Sequence, residues 1–152
     1  MNKKLVIGVG AVAVVAYLGT VAYIKSYDSS RSETLIAQVA SPKGDADIRA
    51  LFYEIGCDYC HTTKASMPFY ASLPVAKQLM NHDIITGYRH FNLIPTLEAL
   101  EKGTPIPESD LAKIERVVQE QEMPPVQFKL VHVISGLDGK QSQQILDWVA
   151  KE

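Results

Sequence analysis

The residues with the most chemistry in them stand together, as Cys57-Asp58-Tyr59-Cys60-His61. Two thiols three positions apart can each take up one haem vinyl group as a thioether, and the adjacent imidazole then lies under the iron as its proximal ligand. The chain has two cysteines and both are here, so no thiol remains for a disulfide. Two rival uses of a Cys-x-x-Cys pair fit less well. A thioredoxin-like redox pair belongs in a βαβ unit, and no parallel-strand pattern is present. A structural zinc site normally takes four ligands, as two such pairs or one pair with spaced histidines, and there is one pair. The motif predicts one covalently attached haem c.

An electron-transfer haem carries a second axial ligand, usually methionine or histidine. Met123 is the first candidate. It follows a predicted helix, Pro124 and Pro125 stiffen the chain beyond it, and a thioether raises the reduction potential relative to a second imidazole. His132 ranks second. His82 and His90 compete, but surface or propionate-bonding roles suit them better, and Met67 and Met80 read as packing residues. The other ring nitrogen of His61 needs an acceptor to fix its tautomer, and the carbonyls of Met67-Pro68 and Leu73-Pro74 are the candidates. Lys77, Arg89 and Lys129 can meet propionates or a partner, though solvated charge is the plainer reading.

These residues need a scaffold, and the hydrophobic pattern is helical. Ile48, Leu51, Phe52 and Ile55 recur at i, i+3, i+4 and i+7, with Asp45 or Asp47 as N-cap and Gly56 as the stop. Asp138 and Gln141 resemble a capping box ahead of a terminal helix carrying Ile145, Trp148 and Val149. Between them, Pro74 opens a helix to about Gly87 with Val75, Leu79, Ile84 and Ile85. Another runs from near Ser109, with Leu111, Ile114, Val117 and Val118, and ends before Met123. Residues 92–108 read as loop with one short helix, and the Val131-His132-Val133 alternation is too short for a strand. The fold class is all-α: a small mono-haem cytochrome c-like domain preceded by one N-terminal transmembrane helix. Trp148 is expected in the crossing of the first and last domain helices, as core packing.

With 152 residues there is room for one modest domain and an extension. The net charge of −2, with no basic stripe, excludes a nucleic-acid partner. After Asn2-Lys3-Lys4, the 20 residues from Leu5 to Ile24 carry no charge, about enough helix to cross a hydrocarbon core. A secretory signal has a shorter apolar core and a small-residue cleavage site. Ala11-Val12-Ala13 comes too early to be that site, so residues 1–24 read as a retained anchor. Residues 25–44, rich in polar residues, read as a flexible tether, and 45–152 as the haem domain. Lysines flank both ends of the span and leave its orientation open. Haem attachment proceeds on the outer face of the bacterial inner membrane, which places the domain in the periplasm on a single-pass anchor.

Gly56-Cys57-Asp58-Tyr59-Cys60-His61, Pro74 to Met80, Gly87-Tyr88 with Phe91-Asn92-Leu93, Lys113-Ile114-Glu115, Met123-Pro124-Pro125, His132 and Ile145 to Trp148 together resemble a bacterial haem-binding domain. That domain is the N-terminal haem unit of membrane-anchored tri-haem cytochrome c peroxidases, or quinol peroxidases. The resemblance implies that the first haem takes electrons from the quinol pool and passes them to a two-haem peroxidase body. Cys57, Cys60 and His61 match its attachment motif, Met123 its Met-Pro-Pro methionine, and His132 a further family position. One haem motif is present here, so peroxide reduction is not carried over. The expected function is transfer of electrons from quinol, or a quinol-linked donor, toward a peroxidase or other terminal reductase, with no catalysis of its own. The alternatives are a five-coordinate haem sensor or ligand-binding module, and a small peroxidase.

Overall fold

A computed structural model describes residues 3–39, 46–133 and 135–152. Among these the chain is all helix and irregular connection, with no strand, and residues 131–133 lie in an irregular connection.

The helix α1, Lys3–Val39, is about 55 Å long at 1.5 Å per residue. It is long and apolar enough to cross a membrane, and 6% of its most apolar window is buried in the protein, unlike the core helix of a soluble fold. It does not stop at Ile24. The stretch 25–39, expected as a tether, continues the helix and packs along α2 (Ala46–Glu54). Its buried stripe explains the misreading, because Ile24, Asp28 and Arg31 recur at helical spacing but two of the three are charged and register as polar linker. Of the expected tether, residues 40–44 lie outside the described residues.

The helix α2 buries Ile48, Leu51 and Phe52, with Ile55 just beyond it. Asp47 lies inside its first turn, where a carboxylate meets the positive end of the helix dipole. The other proposed cap, Asp45, lies outside the described residues. Gly56 closes the helix at φ 80°. The Cys57 amide donates to the Phe52 carbonyl (3.0 Å) and the Gly56 amide to the Tyr53 carbonyl (3.3 Å), the paired bonds of a Schellman cap. A β-carbon at Gly56 would also stand 3.2 Å from the Tyr59 ring and 3.3 Å from Phe128. That turn delivers the chain into α3, Asp58–His61.

After a 3₁₀ turn at Phe69–Ser72 comes α4, Pro74–His90. Proline opens it as expected, but the helix runs through Gly87. A side chain there would meet the Cys60 carbonyl at 3.0 Å and the Cys60 Cβ at 3.1 Å, so this glycine lets α4 lie against α3 instead of ending it. Val75, Leu79 and Ile85, the apolar residues noted on this helix, are exposed. The proline-rich connection holds α5, Ile94–Lys102, ended by Gly103 at φ 62°. The amphipathic α6, Glu108–Gln119, and the short α7, Val126–Lys129, precede α8, Gly139–Val149. The Asp138–Gln141 capping box is present, at 2.8 and 3.0 Å.

The core lies where α2, α5, α6 and α8 converge. Trp148 sets its ring edge-on to Phe52, 6.0 Å between centroids, the packing role expected of it. Cys57 packs against this core, so the haem motif is held by the domain's best-buried layer.

Candidate haem site

The single turn of α3 brings Cys57, Cys60 and His61 together. The His61 Nδ1 is 2.8 Å from the Phe91 carbonyl oxygen, and the Leu93 amide donates to the His61 carbonyl at 2.9 Å. With Nδ1–H donated to Phe91, Nε2 carries the lone pair and is the atom presented for iron. The acceptor is thus the residue just after α4, not Met67-Pro68 or Leu73-Pro74. Burial holds the His61 pKa below its ordinary value, opposed by its backbone hydrogen bonds, which favours the neutral ligand form.

Burial pushes the Cys57 thiol up to about 12 and the Cys60 thiol up to about 11. A nucleophilic redox pair needs the opposite shift. Among the described residues no three His, Cys, Asp or Glu side chains gather to hold a metal ion, so zinc lacks a ligand set. Haem brings four nitrogens of its own. Two thiols and an imidazole with a fixed tautomer on one helical turn fit that group.

The two residues inside the motif are held from the other side, by α1. Asp58 forms an ion pair with Arg31, both buried. The Arg31 guanidinium lies 4.0 Å over the Tyr59 ring, and the Tyr59 hydroxyl donates to Asp28 Oδ1 at 2.9 Å. Burial raises the Asp58 pKa and Arg31 opposes the rise. The Asp58 Oδ1 and the Arg31 Nε find no protein partner. Each member of the pair thus depends on the other, since removing one leaves the second buried without its counter-charge.

His132 belongs to this same network. Its Nδ1 lies 2.8 Å from Asp28 Oδ2, its Nε2 3.0 Å from the Tyr70 hydroxyl, and its ring stacks on Phe128 at 4.0 Å. Ser135 also donates to Asp28 Oδ2, at 3.0 Å. Both nitrogens of His132 are engaged, so the second-ranked ligand has no free lone pair in this arrangement. Met123 stands half-buried in the loop between α6 and α7. Pro125 caps α7, and a side chain at Gly136 would meet Pro124 at 3.3 Å, which pins the Met-Pro-Pro segment to the connection before α8. His82 and His90 are exposed, as are Lys77, Arg89 and Lys129. Met67 and Met80, expected as packing residues, are half-buried and line a cavity beside Cys60.

Asp28, Arg31, Tyr70 and the Phe91 carbonyl were not singled out in the sequence. The one available signal was the spacing of Ile24, Asp28 and Arg31, a helical stripe continuing straight out of the apolar run.

A family model described as a haem-binding domain matches residues 16–151. Over all 152 residues the chain is 38% identical to a protein of Escherichia coli (strain K12) described as cytochrome c peroxidase Ccp, and it spans 32% of that relative's length. No solved structure matches. The matched stretch takes in α1 from Ala16 onward together with the Cys-x-x-Cys-His turn it clamps, and the chain belongs to the haem-binding domain family.

Proposed function

We propose that this chain is a membrane-anchored, mono-haem c-type electron-transfer unit. Cys57 and Cys60 form the thioethers, His61 is the proximal ligand and Met123 the distal one. The observation that carries this reading is the Nδ1 bond from His61 to Phe91, because it spends one nitrogen on the protein and directs the other outward. The occupied nitrogens of His132 favour Met123 in the distal place. Haem held this way supplies a reversible one-electron centre, and the residues around it need only fix it, shield it and present an edge. The similarity to a cytochrome c peroxidase over 32% of its length supports a role in feeding electrons to a peroxidase or another terminal reductase. The apolar α1 supports a single-pass inner-membrane anchor, a periplasmic domain and the quinol pool as donor.

The optical spectrum of the purified protein tests the reading. A low-spin ferric form with a weak far-red methionine-to-iron band, lost in Met123→Ala, is expected. A high-spin ferric form that binds carbon monoxide readily when reduced would instead establish the open-site sensor. Haem that leaves on denaturation would disprove covalent attachment.

A further inference from the structure

Resting on that membrane reading, we propose that the haem domain sits partly in the outer leaflet, with the α7 corner and the Phe69–Ser72 turn against lipid acyl chains. The argument starts from length. A hydrocarbon core about 30 Å thick takes about 20 helical residues, and the uncharged run from Leu5 to Ile24 supplies no more than that. It cannot slide outward, because Lys25, Asp28, Arg31 and Glu33 follow. Yet the domain already touches this run well before its end. The Tyr17 hydroxyl donates to the Leu130 carbonyl at 2.8 Å, Tyr23 meets the edge of Phe69 at 5.0 Å, and Ile24 is 1% exposed. Ala16 and Gly19 face the domain across a cavity of about 700 Å³. From Ala16 to Ile24 is about 12 Å of helix. If the domain stood wholly in water, the remaining apolar turns would cover only about half of the hydrocarbon thickness.

The surface at that depth has the composition lipid requires. Phe69, Leu73, Val126, Leu130 and Val133 are each at least half exposed. Among the polar groups there, the Leu130 carbonyl is met by Tyr17, His132 by Asp28 and Tyr70, and the Gln127 amide donates to Asp83 at 3.3 Å. Exposed Lys77 and Lys129 adjoin the face and are long enough to bring their ammonium groups up to headgroup phosphates. The partner is the bilayer that α1 already enters, since the face is continuous with that helix.

The test uses the full haem-loaded chain in phosphatidylcholine nanodiscs, with a nitroxide at Leu130→Cys, Val9→Cys or Gln143→Cys and each Soret spectrum checked against the parent. Collision of the label with oxygen and with a water-soluble nickel chelate reports depth. The oxygen-to-nickel ratio at Leu130→Cys is expected to resemble that at Val9→Cys and to exceed that at Gln143→Cys severalfold. A ratio at Leu130→Cys equal to that at Gln143→Cys, with Val9→Cys still lipid-like, overturns the seating and spares the anchor. Water-like values at both Leu130→Cys and Val9→Cys overturn the membrane reading itself. Shielding of Leu130→Cys from both reagents shows another protein on this face and overturns lipid as its occupant.

Discussion

The two sides of α3 are held in different ways. On the His61 side the contacts are main-chain: the Phe91 carbonyl on Nδ1, the Leu93 amide on the His61 carbonyl, and Gly87 giving up its side chain to the Cys60 backbone. On the Asp58–Tyr59 side they are side-chain charges and hydroxyls from α1, with Arg31 on Asp58 and Asp28 gathering Tyr59, His132 and Ser135. Main-chain contacts fix an atom's position whatever the neighbouring side chains are, which suits a ligand whose tautomer must not vary. Side-chain clamps depend on every member being present, which suits joining the motif to one particular helix. The first side sets the chemistry of the site. The second sets its attachment to α1.

If that division is right, variants on the two sides differ in kind. Replacing both Cys57 and Cys60 by Ala should remove the proposed thioether links, and haem staining on a denaturing gel should fall to background. Met123→Ala should convert the ferric spectrum from low to high spin and lower the reduction potential. His132→Phe should leave spin state and potential near the parent while lowering the unfolding midpoint. It removes one donor from Asp28, which keeps Ser135 and Tyr59, and leaves the Tyr70 hydroxyl without its acceptor, a loss of about 1–3 kcal/mol. A loss of the far-red band in His132→Phe, with Met123→Ala silent, would reverse the distal assignment and merge the two sides.

Arg31→Ala is the strongest probe of the clamp alone. It leaves Asp58 buried without its cation, a loss of about 3–5 kcal/mol, while the spectrum of the remaining folded protein should not move. The pH dependence has a defined sign. Burial raises the Asp58 pKa above 3.8 and Arg31 works against that rise, so removing Arg31 raises it further. A carboxyl whose folded pKa is raised lends stability below its unfolded value, and loses it as pH climbs through the folded one. The deficit of Arg31→Ala should therefore grow as pH rises from the raised folded pKa of Asp58 in the parent to the still higher one in the variant, and level off once Asp58 is ionised in both folded proteins. Asp58→Asn in the same chain should flatten that slope. A deficit independent of pH would mean that packing over the Tyr59 ring, not the charge pair, is what Arg31 supplies.

The first side was largely legible in the sequence and the second was not. Cys57, Cys60 and His61 announce themselves by type and spacing, and Gly56 and the Asp138–Gln141 box are local signals whose geometry is completed within a few residues. The Phe91 carbonyl was missed because any residue offers one, so only the path of α4 decides which carbonyl arrives. The clamp was missed for a different reason. Asp28 and Arg31 lie far from the motif in sequence, and charged residues after an apolar run read as solvated linker unless their helical spacing is weighed. Val75, Leu79 and Ile85 show the opposite case, apolar residues on a helix that face away from the core.

Gly87→Ala tests whether the main-chain side tolerates any change. A methyl group there stands 3.0–3.1 Å from the Cys60 carbonyl and Cβ, closer than a relaxed contact, and backbone cannot swing aside as a side-chain tip does. The helix α4 must shift from α3, and Phe91 lies one residue beyond the end of that helix. Alanine is also the better helix former, by about 1 kcal/mol, against about 1–3 kcal/mol for overpacking, so the net change in stability should be small. The ligand geometry has no such compensation. Moving Phe91 lengthens the Nδ1 bond, makes His61 a weaker donor to iron and should raise the potential, with the clamp residues undisturbed. A Gly87→Ala protein that loses stability but keeps its potential would show that the Phe91 carbonyl follows His61, and that the main-chain side is no more rigid than the other.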